Sequence, residues 1–173
     1  MLIKLHISRA FDSLSWVFLF EVLRGMGFGD MFLRWIAILL FTGSFKVLVN
    51  GMLGRKIMQA RGLLQGDPTS PMLFVVAMEV LTLVILRAVE ANLLNPLPGT
   101  TALQRVSVYA DDVVLFVKPM TQDLLAVKGI LEVFGAASRL NINYSKITAT
   151  LISKHASGQV CGPSVAVHLV RKN

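Results

Sequence analysis

With 173 residues, the chain has room for one domain with a sizeable core. Hydrophobic residues make up 54% and charged residues only 16%, so most of the chain should be buried, with apolar surface left at risk of exposure. Lysine and arginine number 17 against 10 acidic residues; the net charge of +7 favours an anionic partner such as nucleic acid or a membrane surface. The cations are scattered, so a solvated basic surface is the alternative reading. The lone cysteine, Cys161, excludes an intramolecular disulfide. No signal peptide is evident, because Lys4, Arg9 and Asp12 interrupt the first apolar stretch, and an intracellular, reducing setting is expected. The most membrane-like run, Met72 to Leu86, falls short of the roughly 20 residues a span needs and carries Glu79, which predicts a buried helix and no membrane.

Leu2-Ile3-Lys4-Leu5-His6-Ile7 reads as a strand, after which Ser13 or Ser15 can cap a helix from about Trp16 to Met26 that Gly25 and Gly27 stop. Asp30 can cap a second helix through Phe41. Gly43-Ser44 then leads into the alternating run Phe45-Lys46-Val47-Leu48-Val49, and Asn50-Gly51 signals a hairpin with Lys56 to Ala60 as its return strand. Residues 61–70 read as loop, and Pro71 suits the first turn of a long helix ending near Asn92. The Pro/Gly-rich stretch from Asn95 to Thr101 reads as a further loop. A second hairpin is expected at about 105–118, a helix from about Gln122 to Ser138, and a last strand near Ile147 to Ile152. Helices alternating with antiparallel strands predict an α+β fold whose small antiparallel sheet is covered by helices on one face.

The second hairpin holds the densest chemistry. Tyr109-Ala110-Asp111-Asp112 lies between Val106-Ser107-Val108 and Val113 to Val117, giving a strand, a two-residue acidic tip and a strand. Asp-Asp is not a pair that a tight turn prefers on conformational grounds. Adjacent carboxylates raise each other's pKa, and a divalent cation relieves the repulsion by coordinating their oxygens. Taken alone, the pair reads more readily as a solvated polar turn. A strand ending near His6 can lie beside this hairpin and present His6 and Asp111 at one edge.

Four blocks, in order, extend the pattern: Lys4-Leu5-His6-Ile7-Ser8-Arg9-Ala10-Phe11-Asp12-Ser13-Leu14-Ser15-Trp16; Arg61-Gly62-Leu63-Leu64-Gln65-Gly66-Asp67-Pro68-Thr69-Ser70-Pro71; Tyr109 to Asp112; and Leu140-Asn141-Ile142-Asn143-Tyr144-Ser145-Lys146. Together they resemble the palm of a reverse transcriptase, of the non-long-terminal-repeat retrotransposon kind common in plant genomes. The fourth block is looser, since the family usually has glycine where Arg139 stands. The resemblance implies an α+β polymerase palm and nucleotidyl transfer. A primer 3′ hydroxyl attacks the α-phosphate of a deoxynucleotide, and two Mg²⁺ ions stabilise the attacking and leaving oxygens. The implied partners are an RNA template, a DNA primer and a deoxynucleoside triphosphate; no protein partner is identifiable. Asp111 carries over as metal ligand and Asp112 as its supporting carboxylate at the metal. Phe11 matches the aromatic that crowds the sugar 2′ position, Gln65 and Gly66 the loop lining the nucleotide, and Lys146 the lysine near the triphosphate. Arg9 stands where the family often has lysine. Core packing for Phe11, an ordinary turn for Gln65-Gly66 and an exposed lysine for Lys146 are the structural alternatives.

The main departure is His6, at the position of the family's first metal-binding aspartate. A neutral imidazole suits zinc, copper or iron and brings no negative charge to offset Mg²⁺. Asp12 lies six residues on, roughly 20 Å along an extended strand, and even with the intervening turn its carboxylate is expected to sit away from Asp111. The reading is a reverse transcriptase domain protein with catalysis lost at His6. The alternatives are a non-catalytic nucleic-acid-binding remnant and, from a mean hydropathy of +0.66, a membrane-associated protein. Residues 1–154 are expected to form the palm, with fingers and thumb largely missing, while 155–173 show no interpretable periodicity. The resemblance implies nuclear action, although no basic localisation cluster is evident.

Overall fold

The computed structural model describes residues 1–99, 101–109, 111–152 and 164–165. Its central strand, β1 (Leu2–Ser8), buries Ile3, Leu5 and Ile7 and turns Lys4 and His6 to the opposite face, as alternation requires. Next come a single turn of helix, α1 (Ala10–Ser13), and then α2 (Trp16–Gly25) and α3 (Asp30–Thr42). Of the two candidate serines, Ser15 caps α2, its hydroxyl accepting from the Phe18 N–H at 3.4 Å. Asp30 begins α3 instead of capping it, because extended Gly29 takes the cap position; the carboxylate still faces the positive end of the helix dipole.

β2 (Ser44–Val49) and β3 (Met52–Met58) form a separate two-stranded antiparallel sheet. Asn50 and Gly51 both have positive φ, 49° and 80°, as a two-residue hairpin turn of this hand needs. Such a turn leaves no slack, so the return strand starts at Met52, ahead of the expected Lys56.

α4 (Ser70–Glu90) carries Pro71 in its first turn and runs for 21 residues. The run 72–86 understated it, because the flanking residues are helical too; by length and composition alone the helix could cross a membrane. Leu73, Phe74, Ala77, Met78, Leu81 and Ile85 from one of its faces join the core.

β4 (Val106–Tyr109) and β5 (Asp112–Phe116) make the second hairpin. Tyr109 pairs with Asp112, so Asp111 lies in the turn and Asp112 belongs to β5. That corrects the reading of Asp111-Asp112 as the two tip residues; Ala110 itself lies outside the described residues.

α5 (Thr121–Ser138), β6 (Asn141–Ile142), β7 (Thr148–Thr150) and β8 (Ser164–Val165) complete the chain. The main sheet has the order β4-β5-β1-β7-β8, antiparallel throughout, with β6 pairing the end of β1. The face bearing Ile3, Leu5, Ile7, Val113 and Leu115 shares one core with α2, α4 and α5. The other face carries Lys4, His6 and Asp112 together with Leu2, Val114 and Phe116. Much apolar surface stays uncovered on α3, where Trp35 and Phe41 are exposed, and on both strands of the β2–β3 hairpin.

Candidate active site on the open face of the sheet

The register of β1 against β5 sets the site. His6 lies directly opposite Asp112, and Lys4 opposite Val114, all on the face away from the helices. His6 Nδ1 is 3.2 Å from Asp111 Oδ2 and 3.7 Å from Asp112 Oδ1, while Lys4 Nζ reaches Asp112 Oδ2 at 2.7 Å. The ammonium hydrogen bond from Lys4 holds the Asp112 carboxyl below the usual carboxylate range; desolvation opposes this, and His6 adds to it. The backbone locks the same corner: Ile7 N–H donates to Asp111 O at 3.0 Å, and Asn143 N–H donates to His6 O at 2.9 Å.

A cavity of about 290 Å³ opens there, lined by His6, Arg9, Phe11, Asp12, Gln65 and Asp111 among others. Arg9 adopts a left-handed conformation, φ 49°, which turns the chain from β1 straight into α1. The chain doubles back at this turn, so Asp12 lines the same cavity as Asp111. Phe11 both lines the cavity and stacks on Phe74, with centroids 4.9 Å apart and planes 23° from parallel.

Gln65 reaches the cavity because its loop is stitched to α1. Gly62 N–H donates to Leu14 O at 2.8 Å, Leu63 N–H to Phe11 O at 2.6 Å, and Trp16 Nε1–H to Gly62 O at 2.6 Å. Gly62 has φ +76°, and a Cβ there would lie 2.5 Å from Phe11 O. Gly66, at φ +93°, has open space where a Cβ would stand, so conformation and not close approach calls for glycine. Neither Gly66 nor Lys146 lines the cavity. Lys146 is exposed on a short turn that follows Asn143.

Of the residues expected to act, the structure thus gathers His6, Arg9, Phe11, Gln65 and Asp111 around one cavity, with Asp112 at its edge. Lys4 was missed, although its signal was present: two residues before His6 on an alternating strand, it shares the face of His6.

The donor set does not fit two Mg²⁺ ions. Hard cations need several anionic oxygens, yet one carboxylate here is engaged by Lys4 and the other faces an imidazole nitrogen. Among the described residues, no group of three or more His, Cys, Asp or Glu is placed to hold a metal ion.

A small antiparallel sheet with helices on one face and a carboxylate-tipped hairpin beside its central strand defines the palm of a nucleic-acid polymerase. Apo telomerase from Candida tropicalis, truncated from its C-terminal domain, superposes with a TM-score of 0.60 over 84% of this chain and 29% of its own; at 16% identity the likeness concerns the fold alone. Residues 1–165 match the family described as reverse transcriptase (RNA-dependent DNA polymerase), and the chain belongs to that family. The retrovirus-related Pol polyprotein from type-2 retrotransposable element R2DM of Drosophila melanogaster is 29% identical over 136 residues, 73% of this chain and 12% of the relative. The Transposon TX1 uncharacterized 149 kDa protein of Xenopus laevis is 30% identical over 149 residues, 86% of this chain and 11% of the relative. This is a reverse transcriptase-like domain of non-long-terminal-repeat retrotransposon type, and it spans only about an eighth of these relatives.

Proposed function

We propose that the chain is a retrotransposon-derived reverse transcriptase palm that still engages nucleic acid but no longer carries out nucleotidyl transfer. The observation behind this reading is His6 facing Asp111 at 3.2 Å. An active two-metal centre would stabilise the attacking 3′ oxygen and the leaving pyrophosphate with Mg²⁺ held by carboxylates. Here Lys4 lies on Asp112, and the His6 imidazole facing Asp111 brings no negative charge to hold a metal. Losing one anionic ligand costs about 4 kcal/mol of transition-state stabilisation, roughly a thousandfold in rate. In this reading the template is RNA, the primer DNA and the setting nuclear, residues 1–154 are the palm unit, and the element is of the plant kind that the blocks resemble. Phe11, Gln65 and Arg9 keep the shape of a nucleotide pocket without its metal.

The test pairs primer extension on an RNA template with Mn²⁺ binding followed by paramagnetic broadening, for the parent, His6→Asp and Asp111→Ala. The parent should extend no primer above the Asp111→Ala background, and only His6→Asp should bind Mn²⁺. Extension by the parent that disappears in Asp111→Ala would overturn the proposal.

A further inference from the structure

A second, larger cavity adjoins the first at Arg9, which lines both, but Asp111 and Asp112 are not in its lining. It measures about 1110 Å³ against about 290 Å³ for the first, and is a groove between the turn after β1, the Gly62 loop, the outer side of α5 and β6. Its lining includes Arg9, Arg61, Lys128 and Arg139 but only one carboxylate, Glu132. Glu132 Oε1 stands 3.9 Å from Lys128 Nζ, so that pair is compensated. Among the described residues, the three arginines have no carboxylate within ion-pair distance. The groove is mainly polar; Ala136 is exposed and Ile142 and Tyr144 are half-buried, and these form its small apolar floor.

Two of these arginines also hold backbone that favours glycine: Arg9 has φ 49° and Arg139 φ 64°. Arg139 caps the C-terminus of α5, where a cation suits the helix dipole. The dipole accounts for Arg139 alone. Arg9 and Arg61 come from other elements, so the groove gathers guanidinium donors from three segments, a set that an anion in the groove could share.

We propose that this groove binds the phosphates of a single-stranded nucleic-acid backbone. Guanidiniums grip phosphate oxygens through paired N–H donors. The apolar floor accepts the sugar or base faces of an unpaired strand, which a duplex would keep stacked inside. The proposal rests on the nucleic-acid-binding part of the function proposed above and assigns it to a surface separate from Asp111 and Asp112.

The experiment measures fluorescence anisotropy of labelled oligo-uridylate across a salt series, using the full chain, the groove variant Arg61→Gln/Arg139→Gly, and a charge-matched variant Lys46→Gln/Lys56→Gln on the β2–β3 hairpin. Removing two phosphate contacts should lower the slope of log affinity against log salt by about 1.4 and weaken binding about tenfold, with a much smaller effect of the hairpin variant. Arg61→Lys/Arg139→Lys, which keeps both charges, should retain most of the affinity, and circular dichroism should show the groove variant folded. Equal losses in the two neutralised variants or undiminished binding by the groove variant would overturn the groove while leaving the function proposed above standing. No binding by the parent at low salt would overturn both.

Discussion

Gly62→Ala should destabilise the chain far more than Gly66→Ala, although both glycines sit at positive φ in one loop. At Gly62 the added methyl would stand 2.5 Å from Phe11 O and 2.6 Å from both the carbonyl carbon and the oxygen of Asp12, all main-chain atoms that cannot rotate away. The left-handed conformation costs alanine about 1 kcal/mol, and forcing a methyl into a filled space adds about 1–3 kcal/mol. Movement to relieve the collision would lengthen the bonds from Gly62 N–H to Leu14 O and from Trp16 Nε1–H to Gly62 O, now 2.8 and 2.6 Å. The sum is about 2–4 kcal/mol, a large part of the roughly 5–15 kcal/mol that holds a domain folded. At Gly66 nothing lies within 4 Å of the built Cβ, so only the conformational cost of about 1 kcal/mol remains. Urea unfolding monitored by circular dichroism measures both; at a slope of about 1–3 kcal/mol per molar, Gly62→Ala should shift the midpoint by about 1–2 M more than Gly66→Ala does. Equal shifts would refute the claim that the α1 turn and the Gln65 loop are fixed by close backbone contact at Gly62.

Three further outcomes are expected. Arg105 and Asp123 are buried and joined through Asn95, whose carbonyl accepts from Arg105 Nη2 and whose amide donates to Asp123 Oδ1 at 2.6 Å. Burial lowers the Arg105 pKa and Asp123 raises it; Asp123→Ala should lose about 1–3 kcal/mol in thermal or urea unfolding, because it leaves the Asn95 side-chain amide without its acceptor and removes the carboxylate near Arg105. Arg139→Gly should stabilise the chain by about 0.5–1 kcal/mol, since φ 64° suits glycine; a lower melting temperature would mean that the side chain matters more to the fold than the backbone conformation does. Phe45→Ser with Leu53→Ser should change unfolding free energy by less than about 1 kcal/mol while raising the concentration at which the protein precipitates, because both side chains are exposed on a hairpin that contributes nothing to the buried core.

Local order was legible in the sequence wherever its cause was local. Alternation in β1, the Asn50-Gly51 turn, the Ser15 cap and the Pro71 start each depend on a few neighbouring residues, and each lies where the residues said. The family was legible too, because four short blocks keep their order along the chain. Boundaries were less so: the start of the return strand β3 and the membership of Asp112 in β5 follow from pairing that no window of sequence contains.

The site divides the same way. The residue types at His6, Asp111 and Asp112 marked the place of the site, but the pairing of β1 with β5 across more than a hundred residues decided that His6 faces Asp111 and that Lys4 closes on Asp112. The left-handed turn at Arg9 brought Asp12 to the cavity, where an extended chain would have carried it away. Arg9, Arg61 and Arg139 read as scattered cations in one dimension and line one groove in three. The sequence alone determined which residues are apolar, which turn and which carry charge, since those are properties of single side chains and their neighbours. Which charges meet, and what each compensates, was left to the tertiary structure, because electrostatic and packing contacts depend on distance in space and the chain fixes that only when its distant segments pair.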